Sequence, residues 1–165
     1  MSSASKEDHV AAPVRILIVD DHEVVRKGIR LILNDARPGW EICGEASNGV
    51  EAIDAATHLK PDVILLDITM PGMSGLEAAS HISGRGAAGP ILFFTMHDSG
   101  ELAGEAKRVG AKGYVRKSDA ARHLVKAIEA LLSGGTFFGQ PEKVPNESGG
   151  KPNPGIHFRL ALSFC

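Results

Sequence analysis

The 165-residue chain has room for one domain of ordinary size and a short extension, but not for two full domains. Its 43% hydrophobic and 23% charged residues are typical of a globular protein with a buried core, which excludes wholesale disorder. The net charge of −2 excludes the strong basic excess that drives binding to nucleic acid or to anionic lipid.

Five short apolar runs predict buried strands of a parallel sheet, because both faces of such a sheet are covered by helices. These runs are residues 14–19, 40–46, 63–66, 91–94 and 113–115. Segments with apolar residues at helical spacing lie between the runs and after the last one. They are centred on Ile29, Ile53, Ala79, Ala106 and Ile128. The alternation predicts an α/β fold with a doubly wound parallel sheet and a ligand crevice at the carboxyl ends of the strands.

The composition also predicts the limits of the folded domain. We expect residues 1–13 to form a flexible N-terminus and residues 14–138 to form the single domain. Residues 139–155 are rich in Pro, Gly, Asn, Lys and Glu, which is typical of a linker. Residues 156–165 alternate apolar and polar side chains and could dock on a sheet edge or on a partner, or could be an accidental apolar tail.

The cysteines and the apolar runs bear on location. Cys43 and Cys165 form neither a disulfide framework nor a metal-ligand spacing. The N-terminus has no apolar segment of signal-peptide length, and no run approaches the roughly 18 apolar residues of a membrane span. We therefore expect a cytoplasmic protein that does not enter the membrane.

Polar residues follow the predicted strands at the expected crevice. Asp20 and Asp21 follow the first strand and Asp67 follows the third, while Thr95 and Lys117 follow the fourth and fifth. Crowded carboxylates repel one another unless a hard cation joins them, and Mg²⁺ takes oxygen ligands while leaving positions for phosphate oxygens. A Lys ammonium and a Thr hydroxyl can neutralise and hydrogen-bond the remaining oxygens, and a carboxylate can act as nucleophile to form an acyl phosphate. The conjunction predicts a phosphoryl-transfer site.

Three segments carry a resemblance to a known family. They are ILIVDDH at residues 16–22, LLDITMPGMSG at residues 65–75 and GAKGYVRK at residues 110–117. Together they resemble the receiver domain of two-component response regulators over about residues 14–138. The resemblance implies a flavodoxin-like receiver fold with five parallel strands in the order 2-1-3-4-5.

The resemblance also implies a role for each site residue. Asp67 would accept a phosphoryl group from a sensor histidine kinase. Asp21, Asp67 and the main-chain carbonyl of Thr69 would bind Mg²⁺, and Asp20 would assist through metal-bound water. Thr95 and Tyr114 would act as the conformational switch, and Lys117 would pair with the phosphate. This chemistry amounts to self-phosphorylation and dephosphorylation of a signalling domain and not to the turnover of an enzyme.

Segments around residues 94–98 and 131–138 resemble receivers joined to a LuxR-type helix-turn-helix output. The residues after 138 are too few and too rich in Pro and Gly to supply such an output, so we expect no direct DNA binding from this chain. One alternative is that the chain is the regulatory part of a transcriptional regulator. The resemblance leaves homodimerisation and the downstream protein partner open.

A second alternative is a haloacid-dehalogenase-like phosphatase, since Asp67 follows a strand as the nucleophile of such enzymes does. Thr69 stands where that class has its second Asp, so the acid-base group needed for turnover is missing. A single Asp after a strand is otherwise most often a helix cap or turn residue. The histidines are dispersed without ligand spacing, so we expect no metal binding by histidine.

Overall fold

The computed structural model describes residues 11–86, 88–96 and 99–138. The strands are β1 (Arg15–Val19), β2 (Glu41–Ala46), β3 (Val63–Leu66), β4 (Ile91–Thr95), β5 (Gly113–Arg116) and β6 (Phe137–Phe138). The helices are α1 (Glu23–Ala36), α2 (Gly49–Leu59), α3 (Gly75–Arg85), α4 (Leu102–Arg108) and α5 (Ala120–Leu132), with a 3-10 turn at Lys117–Asp119. The predicted linker 139–155 and tail 156–165, and most of the predicted flexible N-terminus 1–13, lie outside the described residues.

All pairs of neighbouring strands are parallel, and the strand order is β2-β1-β3-β4-β5-β6. The predicted order of the first five strands is confirmed. Because the strands are parallel, the residues that follow β1, β3, β4 and β5 all emerge at one edge of the sheet. The fold therefore gathers the predicted polar residues at that edge.

The core is divided by the sheet into two layers. On one face α1 and α5 pack against alternate strand residues such as Ile18 and Leu65. On the other face α2, α3 and α4 pack against the residues between them, such as Leu17 and Leu66. Since both faces are covered, every residue of β3 and β4 is buried, which explains why these strands read as continuous apolar runs.

The predicted count of five strands needs a correction, because β6 adds a sixth strand beside β5. The amide of Phe137 donates to the carbonyl of Lys112 at 2.9 Å, and Phe138 pairs with Tyr114. Gly113 permits this close pairing, since a Cβ there would lie 2.1 Å from the carbonyl oxygen of Phe137. Two residues after a helix are too few to show strand periodicity, so the sequence pattern gave no signal for β6.

The start of α3 is fixed by a capping box. The amide of Glu77 donates to the Ser74 hydroxyl at 3.2 Å, and the amide of Ser74 donates to a Glu77 carboxylate oxygen at 2.9 Å. The amide of Gly75 donates to the carbonyl of Ile68 at 2.8 Å, which closes the loop between β3 and α3. This loop leads directly from Asp67, so its geometry positions the polar edge of the sheet.

No helix in the described parts of the chain combines the length and the apolar character that a bilayer crossing requires.

Replacing Gly75 by Ala is expected to lower the free energy of unfolding by at least about 2 kcal/mol. The new Cβ would lie 1.9 Å from the carbonyl oxygen of Asp67 and 2.8 Å from the Cα of Ile68, so the backbone of the loop would have to move. Urea denaturation measures the change.

Gly84→Ala in the same helix is the matched control. No atom lies within 4 Å of the position of its Cβ, so the higher helix propensity of Ala should leave stability unchanged or raise it by up to about 1 kcal/mol. Equal effects of the two substitutions would contradict the assignment of Gly75 to a sterically restricted position.

Candidate functional site

Three charged side chains meet in the interior of the molecule at the carboxyl ends of the strands. Asp20 and Asp67 directly follow β1 and β3 and are 1% and 2% exposed. The ammonium nitrogen of Lys117, which follows β5, lies 2.6 Å from Asp20 Oδ2 and 3.2 Å from Asp67 Oδ2. The contact with Asp20 is short but poorly directed for a hydrogen bond, so we treat it as an ion pair. One lysine thus bridges two buried carboxylates that come from different strands.

Burial and neighbouring charges act in opposite directions on the pKa of Asp67, and burial is the largest effect. Burial raises the pKa of Asp67 above its usual range because a carboxylate loses hydration in the interior. The charge of Lys117 acts in the opposite direction, and the negative charge of Asp20 adds to the increase. Lys117 therefore offsets only part of the cost of ionising Asp67.

Asp20 is held by two hydrogen bonds of its backbone and one of its side chain. Its amide donates to the carbonyl of Ala46 at 3.1 Å, and its carbonyl accepts from Arg26 Nη1 at 2.7 Å. Its Oδ1 accepts from the amide of His22 at 2.8 Å. Both carboxylate oxygens of Asp20 are consequently engaged, one by this amide and the other by Lys117.

Asp21 lies at the rim of the site, where its side chain is 23% exposed. Its Oδ1 atom is buried and accepts no directed hydrogen bond from any described residue. Oxygens of Asp20, Asp21 and Asp67, with a ring nitrogen of His22, all lie within 4.8 Å of one another. These groups form a compact set of donor atoms for a cation.

His22 is a site residue that the sequence analysis missed. The histidines show no ligand spacing along the chain, but His22 directly follows Asp20 and Asp21 and its Nδ1 lies 3.1 Å from Asp21 Oδ1. Adjacency to a carboxylate pair was the signal that could have found it.

Thr69 lies two residues after Asp67, and its amide faces Asp67 Oδ1 at 3.4 Å, a long contact. Coordination of a cation by its carbonyl stays a prediction. Thr95 is the last residue of β4 and is fully buried. The fold thus brings Thr95 to the edge of the sheet that carries Asp67 and Lys117.

Tyr114 in β5 is 7% exposed and lies on the sheet face covered by α4. Its ring meets that of Phe138 edge to face, with the centroids 6.3 Å apart and the planes at 61°. The Lys107 ammonium lies 4.7 Å from the centroid of Phe138. Tyr114 is therefore connected to β6 and, through Phe138, to α4.

An open groove leads to the carboxylates from solvent. It is formed by the loops that follow β1, β2 and β3, and Asp21 lies in its wall. The other lining residues are Ser47, Asn48, Gly49, Val50, Pro71, Gly72 and Met73. Asp21 is therefore the carboxylate of the site that this groove exposes to solvent.

A model of the response regulator receiver domain matches residues 16–129. The chain belongs to this family. The match favours a receiver over the phosphatase alternative, and receiver domains are signalling domains.

The relatives agree with this assignment. Response regulator UvrY of Escherichia coli is 40% identical over 121 residues, which are 73% of this chain and 55% of UvrY. The chain thus spans little more than half the length of this curated relative.

Solved receivers share the fold. A LuxR-family two-component response regulator from Aurantimonas sp. has a TM-score of 0.72 and 42% identity, with 76% of this chain and 89% of that chain covered. The receiver domain of the putative response regulator NarL from Mycobacterium tuberculosis has a TM-score of 0.70 and 30% identity, with 75% and 99% covered. The predicted flavodoxin-like receiver fold is confirmed.

Replacing Asp67 by Asn is expected to raise the stability of the metal-free protein at neutral pH. Because the folded-state pKa of Asp67 is raised above the ordinary value of about 3.9, the folded state binds this proton more tightly than the unfolded state. The stability cost is absent below both pKa values and grows as the pH rises through the folded-state pKa. The advantage of the variant should therefore shrink as the pH falls through that window. Calorimetry in EDTA over a pH series measures it.

Asp35→Asn, at an exposed position of α1, is the control and should show no such advantage. The Asp67 variant loses the ion pair between Asp67 and Lys117, but Lys117 keeps its other partner, Asp20. An advantage that increased toward acidic pH would contradict the direction of the pKa shift.

Proposed function

We propose that Asp67 is the phosphoacceptor of this receiver domain and that a sensor histidine kinase is the donor. The observation that carries the proposal is the bridge of Lys117 between buried Asp20 and Asp67. In the reaction a carboxylate oxygen of Asp67 attacks the phosphorus of the phosphohistidine. The P–O bond of an acyl phosphate forms, the P–N bond breaks, and the histidine ring leaves with its electron pair.

The residues fit a divalent cation. Lys117 pairs with two carboxylates, Asp20 and Asp67. Asp21 Oδ1 accepts no directed hydrogen bond from the described residues, and the donor atoms of the three carboxylates lie close together. We propose that Asp21, Asp67 and the carbonyl of Thr69 hold Mg²⁺, with Asp20 assisting through a water molecule. When bound, Mg²⁺ would neutralise charge on the phosphoryl oxygens.

Lys117 has two partners in the resting protein. When Asp67 becomes an acyl phosphate, its carboxylate charge is replaced by phosphate oxygens in the same region. Lys117 is already within 3.2 Å of Asp67 Oδ2, so a small movement would pair it with the phosphate. Because Lys117 is already in the site, it would stabilise the charge of the transferring phosphoryl group without first moving in from solvent.

We propose that Thr95 and Tyr114 relay the change to the surface. Thr95 is the last residue of β4, which lies between β3 and β5, the strands that precede Asp67 and Lys117. This position suits the Thr95 hydroxyl to donate a hydrogen bond to a phosphate on Asp67. Strand β4 pairs with β5, which carries Tyr114. Repositioning of the Tyr114 ring would disturb its contact with Phe138 and change the surface formed by α4, β5 and β6.

The proposal extends to the cellular role. The donor would act in the cytoplasm, and the altered surface would bind a downstream protein or a second copy of the chain. The net charge of −2 supports protein partners over direct DNA contact. The similarity to Transcriptional regulatory protein YdfI of Bacillus subtilis, 39% identical over 128 residues, favours a role in transcription regulation.

Labelling with radioactive acetyl phosphate in Mg²⁺ is expected to place phosphate on wild type and not on Asp67→Asn. The Asn amide is a poor nucleophile, so incorporation should fall by at least about a hundredfold. The label should be released by hydroxylamine, as is expected of an acyl phosphate.

Asp35→Asn, which alters an exposed carboxylate of α1, should be labelled as well as wild type. Equal labelling of Asp67→Asn and wild type would refute the assignment of Asp67. Sustained release of phosphate from small phosphate esters would favour the phosphatase alternative.

Tyr114 is the only tyrosine in the chain, so 3-fluorotyrosine gives a single ¹⁹F reporter. Phosphorylation is expected to shift its resonance, because the ring would leave its edge contact with Phe138. Thr95→Ala should reduce the shift although Asp67 is still labelled. Fluorine NMR with acetyl phosphate and Mg²⁺ measures the effect.

Phe138→Ala is the control, since it should move the resting resonance by removing the neighbouring ring. An unchanged resonance in fully phosphorylated protein would remove Tyr114 from the switch.

A further inference from the structure

We propose that His22 is a nitrogen ligand to the cation at this site and gives the site a preference for transition-metal ions such as Mn²⁺, Co²⁺ and Ni²⁺ over Mg²⁺. The inference rests on the cation binding proposed above and adds one donor to it. It concerns which divalent ion the receiver binds, and not which residue accepts the phosphoryl group.

The distances around the imidazole match a coordination shell. His22 Nδ1 lies 3.1 Å from Asp21 Oδ1 and 3.3 Å from Asp20 Oδ1. Adjacent ligand atoms in an octahedral shell with bonds of about 2.1 Å are about 3.0 Å apart. The nitrogen and the Asp21 oxygen are therefore already separated as two neighbouring ligands of one ion would be.

His22 Nδ1 lies within hydrogen-bonding distance of Asp20 Oδ1, at 3.3 Å, and binding of a cation by this nitrogen would replace that contact. Asp20 Oδ1 accepts from the His22 amide and Asp20 Oδ2 pairs with Lys117, so Asp20 is the carboxylate least free to bind a cation directly. Asp21 Oδ1 has no directed hydrogen bond within the described chain, and Asp67 Oδ1 has only a long contact with an amide. One oxygen of Asp21, one of Asp67 and the nitrogen of His22 thus form the inner set.

The backbone of His22 is anchored at the start of α1, whereas its side chain is 67% exposed. His22 occupies the N-cap position of α1, where its carbonyl accepts from the amides of Val25 and Arg26 at 3.1 and 3.2 Å. Its side chain makes no capping hydrogen bond to the described helix. The imidazole is therefore not needed to start the helix, and its Nδ1 faces the carboxylates of Asp20 and Asp21.

The chemical consequence is a change in metal preference. Mg²⁺ is a hard ion that prefers oxygen, whereas imidazole nitrogen suits the later first-row ions. Affinity in such sites rises from Mn²⁺ through Co²⁺ to Ni²⁺. A nitrogen donor beside Asp21 should therefore strengthen Ni²⁺ binding more than Mn²⁺ binding, and Mn²⁺ binding more than Mg²⁺ binding.

The competing explanation is an imidazolium group that merely pairs with Asp20 and Asp21. The imidazolium group would then occupy the place of the metal ion. Removing the imidazolium by substitution would tighten the binding of every divalent ion by a similar factor. The two explanations therefore predict effects of opposite sign on Ni²⁺ affinity.

The test is calorimetric titration of wild type and His22→Ala with Mg²⁺, Mn²⁺ and Ni²⁺ at about pH 8, where free imidazole is mostly neutral. We expect the variant to lose about tenfold in Ni²⁺ affinity, less in Mn²⁺ affinity and less than about twofold in Mg²⁺ affinity. Electron spin echo spectra of the Mn²⁺ form should show ¹⁴N modulation in wild type that is absent in the variant.

His58→Ala is the matched control, since His58 is exposed on α2 and its ring bonds to the carbonyl of Asp54 in its own helix. It should leave all three affinities and the ¹⁴N signal unchanged. An equal change for the three ions in His22→Ala, including no change, would overturn the proposal. So would a gain in Ni²⁺ affinity.

Asp21→Asn separates this inference from the proposed function. This substitution should weaken the binding of all three ions, because it removes a carboxylate ligand from the inner set. If wild type bound none of the ions, the proposed cation site itself would fail. If Asp21→Asn weakened the binding of all three ions but His22→Ala did not lower the Ni²⁺ affinity selectively, only the proposed role of His22 would fail.

Discussion

The ion pairs of Lys117 with Asp20 and Asp67 are the interaction on which the site depends. Two carboxylates that are almost fully buried would repel each other strongly in the interior, where charges are weakly screened. Lys117 offsets part of this repulsion but leaves the pKa of Asp67 raised. When both carboxylates are ionised they outnumber the one ammonium group that pairs with them, and a divalent cation would offset the remaining negative charge. The same imbalance that costs stability in the resting protein makes the site suited to cation binding and phosphoryl transfer.

This charge arrangement is possible because the backbone around it is closely constrained. The loop after β3 is closed by a hydrogen bond from Gly75 to Ile68, and Gly75 has no room for a side chain. The turn after β1 is held by the amide of His22 and the side chain of Arg26. Rigid turns of this kind keep buried charges within reach of one another, since flexible loops would let them separate into water.

The proposed link from the site to the surface would run along the sheet. Strands β4 and β5 carry Thr95 and Tyr114, and β6 places Phe138 against the Tyr114 ring. Strand β6 is also the last described element before residue 139. A change at Tyr114 would therefore reach β6 through the contact of its ring with Phe138.

The sequence by itself determined the alternation of strands and helices, because buried parallel strands and amphipathic helices have different apolar periods. It also predicted that Asp20, Asp67, Thr95 and Lys117 would lie at one edge, since parallel strands end on the same side. Only the tertiary structure decided the pairing of β6 and the approach of His22 to Asp21. Both depend on how the backbone turns at a few residues, and a periodic pattern carries no information about such turns.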